Sequence, residues 1–253
     1  MNQLFIALIA AALLSACSSA QIPTAESTSI APDYHAYPSL GSYLWQIGDN
    51  YKRATEGDCG ELSFPSKTSA YFKVSQDGGA CIRDQLNPLT PSGKTMQFTP
   101  GQVYEFDFKT ITHMGVDKMP YAVRLVWQIH QYDAGQGGCA LSPITGLYIE
   151  TSGSGVQTWR MMNNEHQASI HYVEGGVDTW KVQAKIANNS SGWTKMYHDG
   201  ELVLNETGPN YPANCQAPFA NFGPYEWQWG NPKIHDPIKT VAITFDYYEV
   251  SQL

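Results

Sequence analysis

The chain has 253 residues, of which 42% are hydrophobic and 12% aromatic, so wholesale disorder is ruled out and there is length for one large all-β domain or two small ones. With 15 Lys and Arg against 23 Asp and Glu the net charge is −8, which disfavours a generic nucleic-acid binder because such a protein needs a basic face. A polyanionic ligand would require a locally basic cleft, and the 15 tyrosines and 7 tryptophans suit a sheet that stacks sugar rings as well as they suit an ordinary β-sandwich.

The first element is a targeting segment. Residues 1–16 end an apolar run too short for a comfortable membrane span. Leu14-Ser15-Ala16-Cys17 reads as a lipobox, with cleavage before Cys17 and lipidation of its thiol, although Met1-Asn2-Gln3 lacks the usual basic residues. An ordinary secretory signal is the alternative. Ser18 after the cysteine favours the outer membrane, so the expected location is the cell envelope, as an outer-membrane lipoprotein facing the periplasm or the surface. Residues 17–38, rich in Ser, Thr, Ala and Pro, read as the lipidated cysteine and a flexible tether, and residues 39–253 as one domain. The lipid is then the only contact with the membrane, and a monomer is expected.

Lipidation of Cys17 leaves four cysteines, an even number in an oxidising compartment, which suggests two disulfides with three pairings open. Cys59–Cys81 and Cys139–Cys215 are favoured, because the first closes a short loop beside Gly-rich turns and the second ties two Gly/Pro-rich loops. Zinc is the rival, but no CxxC and no paired histidine accompanies these cysteines.

From about residue 40 the pattern is strand and turn. Residues 69–76, 103–110, 121–132, 147–151, 158–162, 168–174, 178–186, 194–206 and 240–250 are short, alternating segments bounded by Gly, Pro or Asn, and nothing holds a helical period over 11 residues. Asp199-Gly200 between strand-formers predicts a hairpin, and with residues 178–186 before it a three-stranded meander. Such a chain builds a sandwich or jelly roll.

Three places carry chemistry. Arg83 and Gln85 are two apart, and so are Gln128 and His130, so each pair shares a strand face. Tyr225 follows a Gly-Pro pair in an aromatic-dense segment. Each has a bland explanation: Arg83 pairs with an acid, His130 is a satisfied structural histidine, Tyr225 packs at a rim. Taken in order, however, Arg83-Asp84-Gln85-Leu86, Gln128-Ile129-His130 and Phe219-Ala220-Asn221-Phe222-Gly223-Pro224-Tyr225 resemble the three motifs of the β-jelly-roll polysaccharide lyases, the superfamily of alginate lyases, glucuronan lyases and heparin lyase I-like proteins. Residues 178–203 also resemble that family's hairpin region, and the likeness spans about residues 45–250.

The resemblance implies an all-β fold, a single β-jelly roll in the form of a concanavalin-like sandwich of two antiparallel sheets, with residues 243–250 closing the sheet. It implies β-elimination on a uronic-acid polysaccharide such as alginate or glucuronan, with an acidic polysaccharide as partner and no nucleic acid. Arg83 and Gln128 would hold the substrate carboxylate so that charge can develop on it. His130 and Tyr225 would remove the C5 proton and protonate the leaving oxygen, and in a syn elimination Tyr225 could do both. Gln85, Asn221 and Trp227 are the expected further substrate contacts. Gln85 stands where the family carries an acid, which would loosen the orientation of Arg83, and Asn221 where it carries a lysine, which would remove a contact to a substrate carboxylate. No cofactor is required. Asp133 beside a Gly-rich loop admits a structural Ca²⁺, but isolated loop aspartates are solvated as a rule, so no metal site is expected.

Two other classes compete. A glycoside hydrolase on the same fold would carry E-x-D-x-x-E, whereas Glu105 and Asp107 share a face with no third acid in place. A non-catalytic carbohydrate-binding jelly-roll lipoprotein would share the fold and the tyrosines, but would not need Arg, Gln, His and Tyr in one groove.

Overall fold

The computed structural model describes residues 42–44, 60–66, 68–75, 83–88, 96–114, 123–132, 143–164, 166–226 and 240–253. Among them the chain forms strands and no helix: β1 (Ser42–Leu44), β2 (Glu61–Ser63), β3 (Ala70–Ser75), β4 (Val103–His113), β5 (Val123–Tyr132), β6 (Thr145–Thr151), β7 (Gln157–Asn163), β8 (His166–His171), β9 (Val177–Lys185), β10 (Trp193–His198), β11 (Glu201–Thr207), β12 (Gln216–Tyr225) and β13 (Thr240–Gln252). They pair antiparallel into two sheets. The larger runs β11-β10-β9-β4-β13-β3-β2, with β1 also on β13, and the smaller runs β12-β5-β6-β7-β8. This is the expected all-β sandwich, and β9-β10-β11 is the expected meander.

Alternation along the strands makes the sandwich. In β4, Tyr104, Phe106, Phe108, Thr110 and Thr112 are buried, while the residues between them are more exposed. Phe72, Phe106, Phe108, Phe245 and Tyr248 of the larger sheet thus meet Trp127, Ile129 and Phe222 of the smaller, all at zero exposure. The Trp127 Nε1–H donates to the Tyr248 hydroxyl at 2.7 Å, and the Phe222 and Tyr248 rings stack at 4.0 Å. Truncating one of these buried aromatics to alanine costs about 3–5 kcal/mol. A second link between the sheets is polar: the Asn163 carbonyl oxygen accepts from Thr145 Oγ1 on β6 at 2.6 Å and from Thr194 Oγ1 on β10 at 3.0 Å.

The last strand corrects an expectation. β13 does not close the sheet; it lies inside it, between β4 and β3. Its register against β4 slips between Phe245 and Tyr247, so Phe245 and Tyr248 both face the core although they are three residues apart.

Candidate active site

The outward face of the smaller sheet is built by two irregularities. Along β5, Trp127 and Ile129 point to the core, so Gln128 and His130 point outward on one face, as their spacing predicts. Against β6 the register slips between Leu125 and Trp127, and Val126 is taken into the core. Leu125 and Val123 therefore share the outward face with Gln128 and His130.

On β12, Phe219 lies opposite His130, Asn221 opposite Gln128 and Tyr225 opposite Leu125, with a slip between Phe222 and Tyr225. Gly223 sits in that slip at φ 118, where a side chain is strained. A Cβ there would also press on the Asp84 backbone oxygen and on Gln85 Cα. Glycine thereby lets residues 83–86 run directly beside β12, held by the bonds Asp84 N–H to Pro224 O at 3.0 Å and Leu86 N–H to Phe222 O at 2.8 Å. Arg83 is bridged to Tyr225 as a result, its guanidinium 5.6 Å from the ring centre. The far end of β12 is locked to β5 by a buried ion pair, Arg124 Nε to Glu226 Oε2 at 3.1 Å, both side chains 1% exposed. Removing one partner of such a pair costs about 3–5 kcal/mol, because the other charge is left buried.

The outcome is one groove of about 820 Å³ lined by Arg83, Gln128, His130 and Tyr225 together with Tyr148 and Arg160. All four residues proposed for chemistry from the sequence line it. Arg83, Tyr225, Leu125, Tyr148 and Arg160 stand in register across the sheet, so the two guanidinium-bearing positions are separated by four strand spacings, roughly 19 Å of backbone. Gly146 lies opposite Gln128, and a Cβ on it would meet the Tyr148 ring at 2.9 Å, so that glycine seats Tyr148 in front of Gln128.

Burial, with the nearby Arg83 charge, holds the His130 imidazole below its ordinary pKa, against a backbone bond from Gln131 that favours the charged form. Its Nδ1 lies 2.9 Å from the Gln131 oxygen and 2.8 Å from the Gln131 nitrogen, which leaves Nε2 as the ring nitrogen not engaged by the backbone. Burial raises the Tyr148 phenol far above its usual range, partly offset by Arg160. Arg160 is itself paired with Glu150, Nη1 to Oε2 at 3.3 Å.

Gln85 has a different place from the one its spacing suggests. It is 3% exposed and lies behind the groove, where its NH₂ donates to the Gly223 oxygen at 3.3 Å and its carbonyl accepts from the Gln128 amide at 3.4 Å. Its side chain reaches Gly223 and Gln128 rather than the groove, and an ionised carboxylate could not donate to Gly223 O. The half-buried Asn221 receives a hydrogen bond from the Asn87 amide, which also donates to Ala220 O at 2.9 Å. Trp227, Asp133 and Cys17, Cys59, Cys81 and Cys139 lie outside the described residues. Cys215 is buried and disulfide-bonded, and the partner in each expected pairing lies outside the described residues. Tyr148 and Arg160 are the polar groove residues that sequence reasoning missed. Glu105 and Asp107, the nearest approach to a hydrolase pair, are on the outward face of the other sheet, against Lys181 at 3.4 and 3.7 Å.

No family profile and no curated protein matches the chain in sequence. Solved structures do match in fold. An endo-β-1,4-glucuronan lyase from the fungus Trichoderma reesei superposes with a TM-score of 0.57 at 13% identity, over 87% of this chain and 94% of that one. A marine PL7 alginate lyase from Zobellia galactanivorans gives 0.54 at 11%, over 81% and 86%. The alginate lyase from Corynebacterium sp. gives 0.53 at 13%, over 84% and 93%. The chain has the β-jelly-roll fold of these polysaccharide lyases.

Proposed function

We propose that this protein is a polysaccharide lyase that cleaves a uronic-acid polymer, alginate or glucuronan-like, by β-elimination. The observation that carries the reading is the gathering of Arg83, Gln128, His130 and Tyr225, which come from three separate segments, along the wall of one groove. Two arginines in that groove also supply the local cation that an acidic polymer needs on a chain of net charge −8.

The C5 proton of a uronate is barely acidic until the adjoining carboxylate is neutralised. Arg83 and the Gln128 amide would bind that carboxylate and stabilise the charge that develops on it, with Gln85 fixing the Gln128 amide. His130, held neutral near pH 7 by burial, would take the C5 proton at Nε2. The electron pair forms the C4–C5 double bond, the C4–O bond breaks, and Tyr225 would protonate the leaving oxygen. In the syn alternative Tyr225 takes the proton and returns it, while His130 helps hold the carboxylate. With Asn221 where the family carries lysine, substrate charge would be read by Arg83 and Arg160. The reading also places the enzyme in the cell envelope, tethered through lipidated Cys17 and residues 17–38, and acting as a monomer.

Tyr225→Phe tests the assignment, since it deletes the proton donor and keeps the ring. It should lower kcat on the order of 10²–10⁴-fold on a polymer the wild type cleaves. An unchanged elimination rate would remove Tyr225 from the chemistry.

A further inference from the structure

Tyr225 stands at the irregular end of its strand. Alternation turns its side chain to the groove and the next one, Glu226, to the interior. The chain before it is broken: the register against β5 slips between Phe222 and Tyr225, Gly223 stands at φ 118, and Pro224 has no N–H for a ladder. Glu226 is the last described residue of this segment. Its buried carboxylate meets the buried Arg124 guanidinium, Nε to Oε2 at 3.1 Å. Arg124 directly precedes Leu125, the cross-strand partner of Tyr225, so the ion pair lies one residue beyond that pair of groove residues, on the interior side. Arg124 Nη1 also donates to Thr151 Oγ1 at 3.5 Å, so one guanidinium ties the end of β12 to β5 and to β6.

We propose that the Arg124–Glu226 pair positions the Tyr225 phenol in the groove, a role in catalysis that rests on Tyr225 being the proton donor of the elimination. Stability alone does not call for the pair. Taking two charges out of water costs about as much as their attraction returns, and apolar residues of the same volume commonly serve a fold as well or better. What an ion pair supplies and an apolar contact does not is direction, because a planar guanidinium meets a carboxylate in a narrow range of geometry. On one side Tyr225 is held by its bridge to Arg83. On the other, the ion pair restores toward β5 the restraint that the ladder loses at Gly223 and Pro224. The phenol must come within hydrogen-bond reach of the leaving oxygen, and a misplacement of about 1 Å costs roughly 10²-fold in rate. Arg124 and Glu226 thus act through Tyr225 as positioning residues, without reaching the groove themselves.

The test removes the pair without leaving a lone buried charge. Arg124→Met combined with Glu226→Leu should keep Tm within about 5 °C of the wild type. On a polymer that the wild type cleaves, kcat should fall about 10²-fold with KM held. In a Tyr225→Phe background the same two changes should lower kcat no further, because no hydroxyl is left to place. Glu226→Asp keeps both charges and shortens the acid by one methylene. It should show a smaller fall with the same dependence on Tyr225, and it carries the test if the double variant does not fold. Fluorotyrosine incorporation adds a readout without substrate: the fluorine resonance that Tyr225→Phe deletes should move in the variant. An equal loss of kcat in both backgrounds, or an unmoved resonance in a folded variant, overturns the positioning role. A moved resonance with full turnover in Tyr225→Phe would keep the positioning of the phenol and overturn Tyr225 as the proton donor.

Discussion

The two outward faces of the sandwich come from strands of the same alternating design and do different things. On the larger sheet, Glu105, Asp107, Lys109, Lys181 and Asp246 are matched among themselves, Lys109 with Asp246 at 2.8 Å and Lys181 with both Glu105 and Asp107. On the smaller sheet the slips at Leu125/Trp127 and Phe222/Tyr225 draw unlike side chains to one place. There the Arg83 guanidinium stands over a tyrosine ring, and burial holds an imidazole below its ordinary pKa. Alternation alone makes a solvated face. Register breaks that gather polar groups over a partly desolvated floor make a site, because charge developing there is met by fixed groups rather than by water.

The largest way to break the contrast is Arg83→Ala, which should lower kcat by about 10²–10³-fold if the guanidinium meets charge that develops in the transition state. Arg160→Ala, at the other end of the same row, should instead raise KM roughly tenfold with kcat held, as lost uniform binding does. Equal effects on kcat from both would erase the proposed division between chemistry and binding.

A medium effect is expected in the pH profile. His130 acts as base only when neutral, and its pKa is depressed by burial and by Arg83. Activity should therefore persist down through the ordinary imidazole value of about 6.5 and fall only below it. An acid limb at or above that value in kcat/KM would contradict His130 as the base.

The smallest effect on activity belongs to the other face. Burial, a hydrogen bond with Glu105 and repulsion from Glu105 and Glu249 push the Asp107 carboxyl up to about 6, against the pull of Lys181. A carboxyl raised in the folded state contributes stability at pH below its unfolded value and loses it as pH rises through about 6. Asp107→Asn should thus gain Tm relative to the wild type between pH 4 and pH 7, while turnover stays unchanged. A loss of turnover would mean that the two faces are not independent.

Much of this was legible in the sequence, for identifiable reasons. Strand alternation with Gly and Pro punctuation gave away the sandwich, Asp199-Gly200 the hairpin, and the i, i+2 spacing of Gln128 and His130 their common face. What stayed hidden depended on register. β13 reads as a closing strand because nothing local shows that β4 and β3 flank it. Gln85 shares a short segment with Arg83, yet tertiary contacts send its side chain to Gln128 and Gly223. Tyr148 and Arg160 reach the groove only through the pairing of β5, β6 and β7. Their one local signal is a glycine two residues before the tyrosine and a lone arginine within an apolar strand.

The most direct measurement is incubation of the wild type with a panel of uronic-acid polymers, following both the ultraviolet absorbance of an unsaturated product and the release of reducing ends. The account predicts that absorbance and reducing ends rise together on at least one polymer of the alginate or glucuronan type. Reducing ends without absorbance would mean hydrolysis, and polymer binding with neither would mean a carbohydrate-binding protein; either result contradicts β-elimination in this groove.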